Sequence, residues 1–151
     1  MSKNILNLVK VLGLAGLIFI AGCNKDDKDS NIKVGKGYEG GIIAYVDGSG
    51  KHGLIAAPSD LDGVYFWGRA FTVCEELVID GYDDWYLPSK EELNTLYKNK
   101  DAIGGFTEDI YWCSTELEKD GNGAWAQRFS DGKQDTSAKK SERKVRAVRS
   151  F

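Results

Sequence analysis

The spacing of apolar residues along the chain switches between two and three-to-four, and each switch marks a predicted element. Gly40 to Val46 and His52 to Ala57 are β-rich runs separated by Asp47-Gly48-Ser49-Gly50-Lys51. They predict a hairpin with a glycine-rich turn and with Ile42, Ala44 and Val46 on one face. Pro58 ends the second strand, and Ser59 to Gly68 reads as a loop. From Arg69 to Ile79, the residues Ala70, Val73, Cys74, Leu77 and Val78 recur at helical spacing, until Gly81 stops the pattern. The stretch Gly81 to Tyr97 then organises the chain. Pro88 pushes Leu87 out of the helical region, Ser89 becomes an N-cap, and Glu92 completes a capping box. Leu93, Leu96 and Tyr97 supply the buried stripe of the second helix, which frays through Lys98 to Asp101 before Gly104-Gly105 opens a loop. Ile110 to Thr115 predicts a strand, Asp120-Gly121-Asn122-Gly123 a turn, and Ala124 to Phe129 a strand with Trp125, Gln127 and Phe129 on one face. Asp131-Gly132 makes a tight turn, Gln134 to Glu142 is polar enough to read as a loop, and Val145 to Phe151 is a closing strand. Strands, then helices, then strands describe an α+β domain with its helices gathered on one side.

The first residues follow a different pattern. Lys3 and Lys10 flank a polar start, and the apolar run Val11 to Gly22 is too short to span a bilayer but suits the core of a secretion signal. Its end, Ile20-Ala21-Gly22-Cys23, resembles the bacterial lipobox, which implies cleavage after residue 22 and lipidation of Cys23. Acyl chains on Cys23 would tether the protein to a membrane without spanning it. Residues 23–37 then form a polar, charged linker, and 38–151 the folded domain. Within the linker, Lys25-Asp26-Asp27 resembles the acidic export tag of surface lipoproteins of the Bacteroidota, which implies an outer-membrane lipoprotein facing outward. A plain solvated linker on the periplasmic side has the same composition.

Charge and chemistry narrow the function. The chain carries a formal net charge of −3, and loss of residues 1–22 removes two lysines and no acid, so general nucleic-acid binding is not expected. Bases nevertheless crowd the last quarter: Arg128, Lys133, Lys139, Lys140, Arg143, Lys144, Arg146 and Arg149. Cys74 and Cys113 fit either a disulfide or two buried thiols, with the apolar helix position of Cys74 favouring thiols. The lone His52 sits at the hairpin turn, no cysteine or second histidine stands at zinc-ligand spacing, and no phosphate loop is present. Asp80, Asp83 and Asp84 fit calcium or an ordinary solvated turn, and the second is the commoner case, so neither metal nor cofactor is expected. Tyr65, Phe66 and Trp67 fit a sugar-stacking platform or, more commonly in a small domain, a plug at the core edge. Ser114 lies in no motif that exposes a nucleophile.

Five motifs in order resemble one family. They are Gly40-Gly41-Ile42-Ile43, Gly50 to Pro58, Asp84-Trp85-Tyr86-Leu87-Pro88-Ser89 with Glu91-Glu92-Leu93, Tyr111 to Glu116, and Val145-Arg146-Ala147-Val148-Arg149. Together they look like the DUF1566 family, which includes the C-terminal domain of the Legionella collagen-like adhesin. More distantly, Trp85-x-Leu87-Pro88 and Tyr111-Trp112-x-Ser114-Thr115 are similar to the C-type-lectin-like fold of formylglycine-generating enzymes. The resemblance implies a C-type-lectin-like domain with two helices on a twisted, mainly antiparallel sheet, its first and last strands paired. Trp85, Leu87, Pro88 and Trp112 would be structural. Cys113 stands where the family usually has Ser, and the catalytic cysteines of the formylglycine-generating enzymes have no counterpart, so fold carries over without activity. The expected function is non-enzymatic binding of an anionic glycan or polysaccharide, adhesin-like, through Lys133, Lys139, Lys140 and Arg143, set against the plainer reading of a solvated, charged edge. A second expectation is an envelope component docking a cell or host protein through its aromatic loops. An enzyme of the formylglycine-generating type ranks last.

Overall fold

The computed structural model describes residues 32–118 and 121–151. The signal segment, Cys23, the linker to Asn31, and Asp120 lie outside the described residues. The elements run β1 (Gly37–Tyr38), β2 (Gly41–Val46), β3 (Gly53–Ala56), α1 (Trp67–Glu75), α2 (Lys90–Lys98), α3 (Lys100–Ile103), β4 (Ile110–Glu116), β5 (Gly123–Arg128), β6 (Gln134–Ala138) and β7 (Val148–Ser150). They form an α+β domain with two antiparallel sheets, ordered β1-β2-β3-β7 and β4-β5-β6. The first and last strands are the two edges of one sheet, joined through the β2–β3 hairpin. Among the described residues no helix is long and apolar enough to cross a membrane.

Local chemistry accounts for most boundaries. Ser89 Oγ accepts from Glu92 N at 3.1 Å, and Glu92 Oε2 accepts from Ser89 N at 2.8 Å, so the capping box forms and α2 starts where Pro88 allows. Leu93 and Leu96 are fully buried. The first helix differs from expectation, beginning at Trp67 and ending at Glu75, with Val78 63 % exposed. The cause is a tight turn at Ile79–Tyr82. Asp80 and Gly81 both take positive φ, 52° and 85°, and the flanking residues exchange bonds of 3.0 and 2.9 Å. That pairing needs extended chain just after Leu77, so the helix cannot continue. A bulge between Ile43 and Tyr45 breaks the alternation of β2, burying Ile43 and Ala44 together and leaving Tyr45 exposed.

Gln134 to Ala138, expected as loop, is strand β6. Its residues show no apolar alternation; the turn at Asp131-Gly132 folds it onto β5, and five consecutive pairings supply the order that its side chains do not. Trp125, Gln127 and Phe129 share a face as expected, with Gln127 donating to Asn94 Oδ1 at 3.0 Å on α2.

The last segment sews the sheets together. Lys144 bonds to Ile110 and Trp112 of β4, Val145 and Ala147 accept from Leu61 and Ala57, and Val148 pairs with Tyr86 and Ala56. Between Val145 and Ala147, the Arg146 side chain is wholly buried. Its Nε donates to Asp60 Oδ1 at 2.8 Å, Nη1 to the carbonyls of Ala57 and Gly104 at 3.0 and 3.3 Å, and Nη2 to that of Gly105 at 2.6 Å. Tyr111 OH donates 2.6 Å to the other oxygen of Asp60, and burial, aided by that bond, pushes the phenol up to about 12, so it remains a donor at physiological pH. Replacing Ser89 with Ala should lower unfolding free energy in urea by about 1 kcal/mol. Replacing Arg146 with Ala should cost about 3–5 kcal/mol, because Asp60 is left largely buried and unpaired by its cation. An Arg146→Ala loss no larger than that of Ser89→Ala would contradict this role.

Candidate functional site

The β4-β5-β6 sheet lies between two helices: α2 packs Leu93 and Leu96 on the face of Tyr111 and Phe129, and α1 packs Ala70 and Cys74 on the face of Trp112, Ala124 and Ala126. Register places Ala126 opposite Asp135, Ala124 opposite Ser137 and Ile110 opposite Arg128, so Arg128, Asp135 and Ser137 rise on the face away from Trp125 and Gln127. Arg143 is held over the same face by paired backbone bonds to Tyr65, 2.9 and 3.0 Å. With Lys133 from the β5–β6 turn, these residues line a cavity of about 170 Å³, the size of a single anionic group rather than a sugar ring.

The cations of this cavity are not equivalent. Arg128 grips Asp131 with both arms, Nε to Oδ1 at 2.9 Å and Nη2 to Oδ2 at 2.6 Å. That guanidinium, helped by the Lys133 backbone N–H, holds the Asp131 carboxyl at about 2. Lys133 lies 2.7 Å from Asp135, whose carboxyl it also holds below the ordinary range. Among the described residues Arg143 has only neutral acceptors, the Glu142 carbonyl at 2.9 Å and Ser137 Oγ at 3.1 Å. Among the described residues every other arginine has a carboxylate: Arg69 has Glu76, Arg128 has Asp131, Arg146 has Asp60, and Arg149 has Asp84 and Glu39. The buried Nε of Arg143 has no hydrogen-bond partner among the described residues, a donor left unmade at a cost of about 1–3 kcal/mol. The cavity therefore holds one half-buried cation whose charge is unmatched.

The predicted basic quartet divides. Lys133 and Arg143 meet in the cavity. Lys139 is taken by the Glu116 carboxylate and the Gly121 carbonyl, with its ammonium 4.4 Å over the Trp67 ring, and Lys140 is exposed in the turn after β6, outside the lining. Arg128 was missed; its signal was the alternation Ala124-Ala126-Arg128, with Asp131 three residues on. Trp85, Leu87, Pro88 and Trp112 are all buried, and the indoles of Trp85 and Trp112 donate to the carbonyls of Tyr82 and Tyr65. Tyr65 and Trp67 pack on the core while Phe66 is 51 % exposed, so the aromatic triplet plugs with two rings and shows the third.

Cys74 and Cys113 are free buried thiols in separate core clusters, with no bridge between them. Burial pushes the Cys74 thiol up to about 12, and Cys113 Sγ donates to the Trp125 carbonyl at 3.0 Å. Asp84 is clamped by Arg149 at 2.5 and 3.1 Å, and Asp80 serves the tight turn before it, so these acids have structural uses. Among the described residues no group of three or more His, Cys, Asp or Glu side chains converges as metal ligands would.

The sequence model of one protein family, described as the Lcl C-terminal domain, matches residues 44–149. The chain belongs to this family. It is the family also known as DUF1566, to which the five sequence motifs pointed. The Lcl C-terminal domain match opens in β2 and closes at Arg149, so it takes in α2, the buried Arg146, the cavity around Arg143, the whole β4-β5-β6 sheet and most of the other sheet except β1. No curated protein sequence matches the chain.

The Arg128–Asp131 clamp has a pH signature. Because the folded carboxyl of Asp131 lies below its ordinary value of 3.8, the clamp's contribution is complete above that value and is lost as pH falls through about 2. Carbon-13 NMR of the Asp131 carboxyl should give a midpoint near 2, returning toward 3.8 in Arg128→Ala. A midpoint unchanged by that substitution would remove Arg128 as the cause.

Proposed function

We propose that this Lcl C-terminal domain is a non-enzymatic binding module for an anionic glycan or polysaccharide, displayed on the cell surface from a lipidated Cys23. The observation that carries the reading is Arg143, without an ion pair among the described residues, lining a cavity with Arg128, Lys133 and the Asp135 that Lys133 pairs. An acidic protein that leaves one guanidinium unmatched in a concave site has the complement of a sulfate, carboxylate or phosphate ester, since the planar fork of arginine suits such groups. Arg128 and Lys133 supply further positive charge, held in reserve by Asp131 and Asp135. A repeating polymer would gain affinity from several weak contacts of this kind. The polar residues 23–31 would lift the domain clear of lipid, since Gly35 and Lys36 already bond to Ile43 and Gly37 opens β1, and such a tether suits a receptor for an extended ligand.

A second reading has its own observation. Val64 and Phe66, 45 % and 51 % exposed, stand on the loop whose Tyr65 holds Arg143 in place. An apolar edge beside a basic cavity would suit an acidic protein segment in the envelope.

Binding of the full-length protein to heparin and to polygalacturonate, followed across a salt series, tests the first reading. Affinity should fall as salt rises, because exposed charge pairs are screened. Arg143→Gln should weaken binding about tenfold, the worth of one charge-assisted contact, while Lys140→Ala should change it by less than about twofold. Asp131→Asn should strengthen binding by freeing Arg128. Salt-independent binding, or equal loss in Arg143→Gln and Lys140→Ala, would overturn the assignment.

A further inference from the structure

A second cavity, of about 450 Å³, lies where the end of the β2–β3 hairpin meets the first turns of α2 and the last residues of the chain. It shares no lining residue with the basic cavity and differs from it in chemistry. Leu54, Phe151 and the half-exposed Tyr45 give it an apolar, aromatic wall, while Asp47, Glu91 and Glu92 supply carboxylates. No lysine or arginine lines it; His52 is its only basic side chain. The volume is that of a small-molecule site.

The carboxylates are engaged to different degrees. Glu92 is consumed by the capping box and by Tyr86 OH at 2.8 Å. Asp47 is turned into its own loop, accepting from Ser49 N and Oγ at 3.0 and 2.6 Å. The Glu91 carboxylate, exposed in the first turn of α2, has neither hydrogen bond nor ion pair among the described residues. The walls that present it are fixed by bonds and close packing. The capping box fixes the start of α2, and the absence of a side chain at Gly53, where a Cβ would come within 2.5 Å of the Phe151 ring, lets that ring close onto the hairpin.

We infer that this cavity binds an organic cation, an ammonium carried on a compact ring, with the ring against Tyr45 and Phe151 and the charge toward Glu91. A neutral sugar would leave the carboxylate unmatched, and an anion would meet like charge from three acids. A ring-bearing ammonium gains both an ion pair with Glu91 and apolar and stacking contact of its ring with Tyr45 and Phe151. The protein then carries two sites of opposite preference, one for anions on the β4-β5-β6 sheet and one for cations at the hairpin end.

Saturation-transfer and chemical-shift titrations of the full-length protein with phenethylamine, and with neutral 2-phenylethanol as its near-isostere, test the assignment. The amine should bind about tenfold more tightly than the alcohol, with shifts at Tyr45, Leu54 and Phe151. Glu91→Gln, an exposed and shape-conserving change, should bring the amine down to the affinity of the alcohol, and Tyr45→Ala should weaken both. Arg143→Gln should leave the amine unaffected, which separates this site from the anion site. Equal affinity for amine and alcohol, amine binding unchanged by Glu91→Gln, or no saturable binding of either probe would overturn the inference.

Discussion

The burial of one guanidinium constrains the rest of this domain. Arg146 lies on an extended segment whose neighbours Val145 and Ala147 face the core, and it reaches parts of the chain far apart in sequence: Ala57, Asp60, Gly104 and Gly105. Its Cζ also sits 4.0 Å over the Phe106 ring. Removing a cation from water costs several kcal/mol, and only a full set of well-placed acceptors offsets that. The loop after β3 and the glycine loop after α3 therefore have to converge on one point. Hydrophobic packing alone would tolerate many arrangements of those loops; the arginine accepts few. Arg149, three residues on, repeats the device nearer the surface by tying Asp84 and Glu39 to the end of the chain and lying 4.1 Å over Tyr82.

The same arithmetic of charge separates structure from function. Where a buried cation meets a carboxylate in good geometry, as at Arg146 or Arg149, its electrostatic work is already done within the fold. Arg143 and Glu91 are charges that the fold positions without matching, each at a cavity. For the half-buried Arg143, unmatched charge in a concave, partly desolvated place is more available to a ligand than the same charge on an open surface, where water already satisfies it; Glu91 is exposed, and its setting is the apolar wall beside it. Lys140 is the contrast, exposed and outside both linings.

The locally encoded features were legible in the residues. Ser89 and Glu92 with Pro88 before them announce the start of α2, because the capping bonds join groups three residues apart. The hairpin announces itself through Gly48 and Gly50, and the β5 face through Trp125, Gln127 and Phe129. Family membership was legible too, since the five motifs are short and contiguous. Strand β6 was not, because Gln134 to Ala138 carries no apolar alternation and takes its order from β5. Nor was the early end of α1: Val78 keeps helical spacing in the sequence, but the Ile79–Tyr82 pairing overrides it.

The candidate site shows the same division. Sequence by itself determined that the closing quarter is basic, that Trp85, Leu87, Pro88 and Trp112 are of a kind to build a core, and that Cys74 and Cys113 need not be bridged. Only the tertiary structure decided which bases are spent and which are left. Arg128 lies three residues from Asp131, yet Lys139 finds Glu116 across the sheet and Arg146 finds Asp60 from the other end of the domain. Composition counts charges, whereas ion pairing depends on distances of a few ångströms between residues that the chain brings together only on folding.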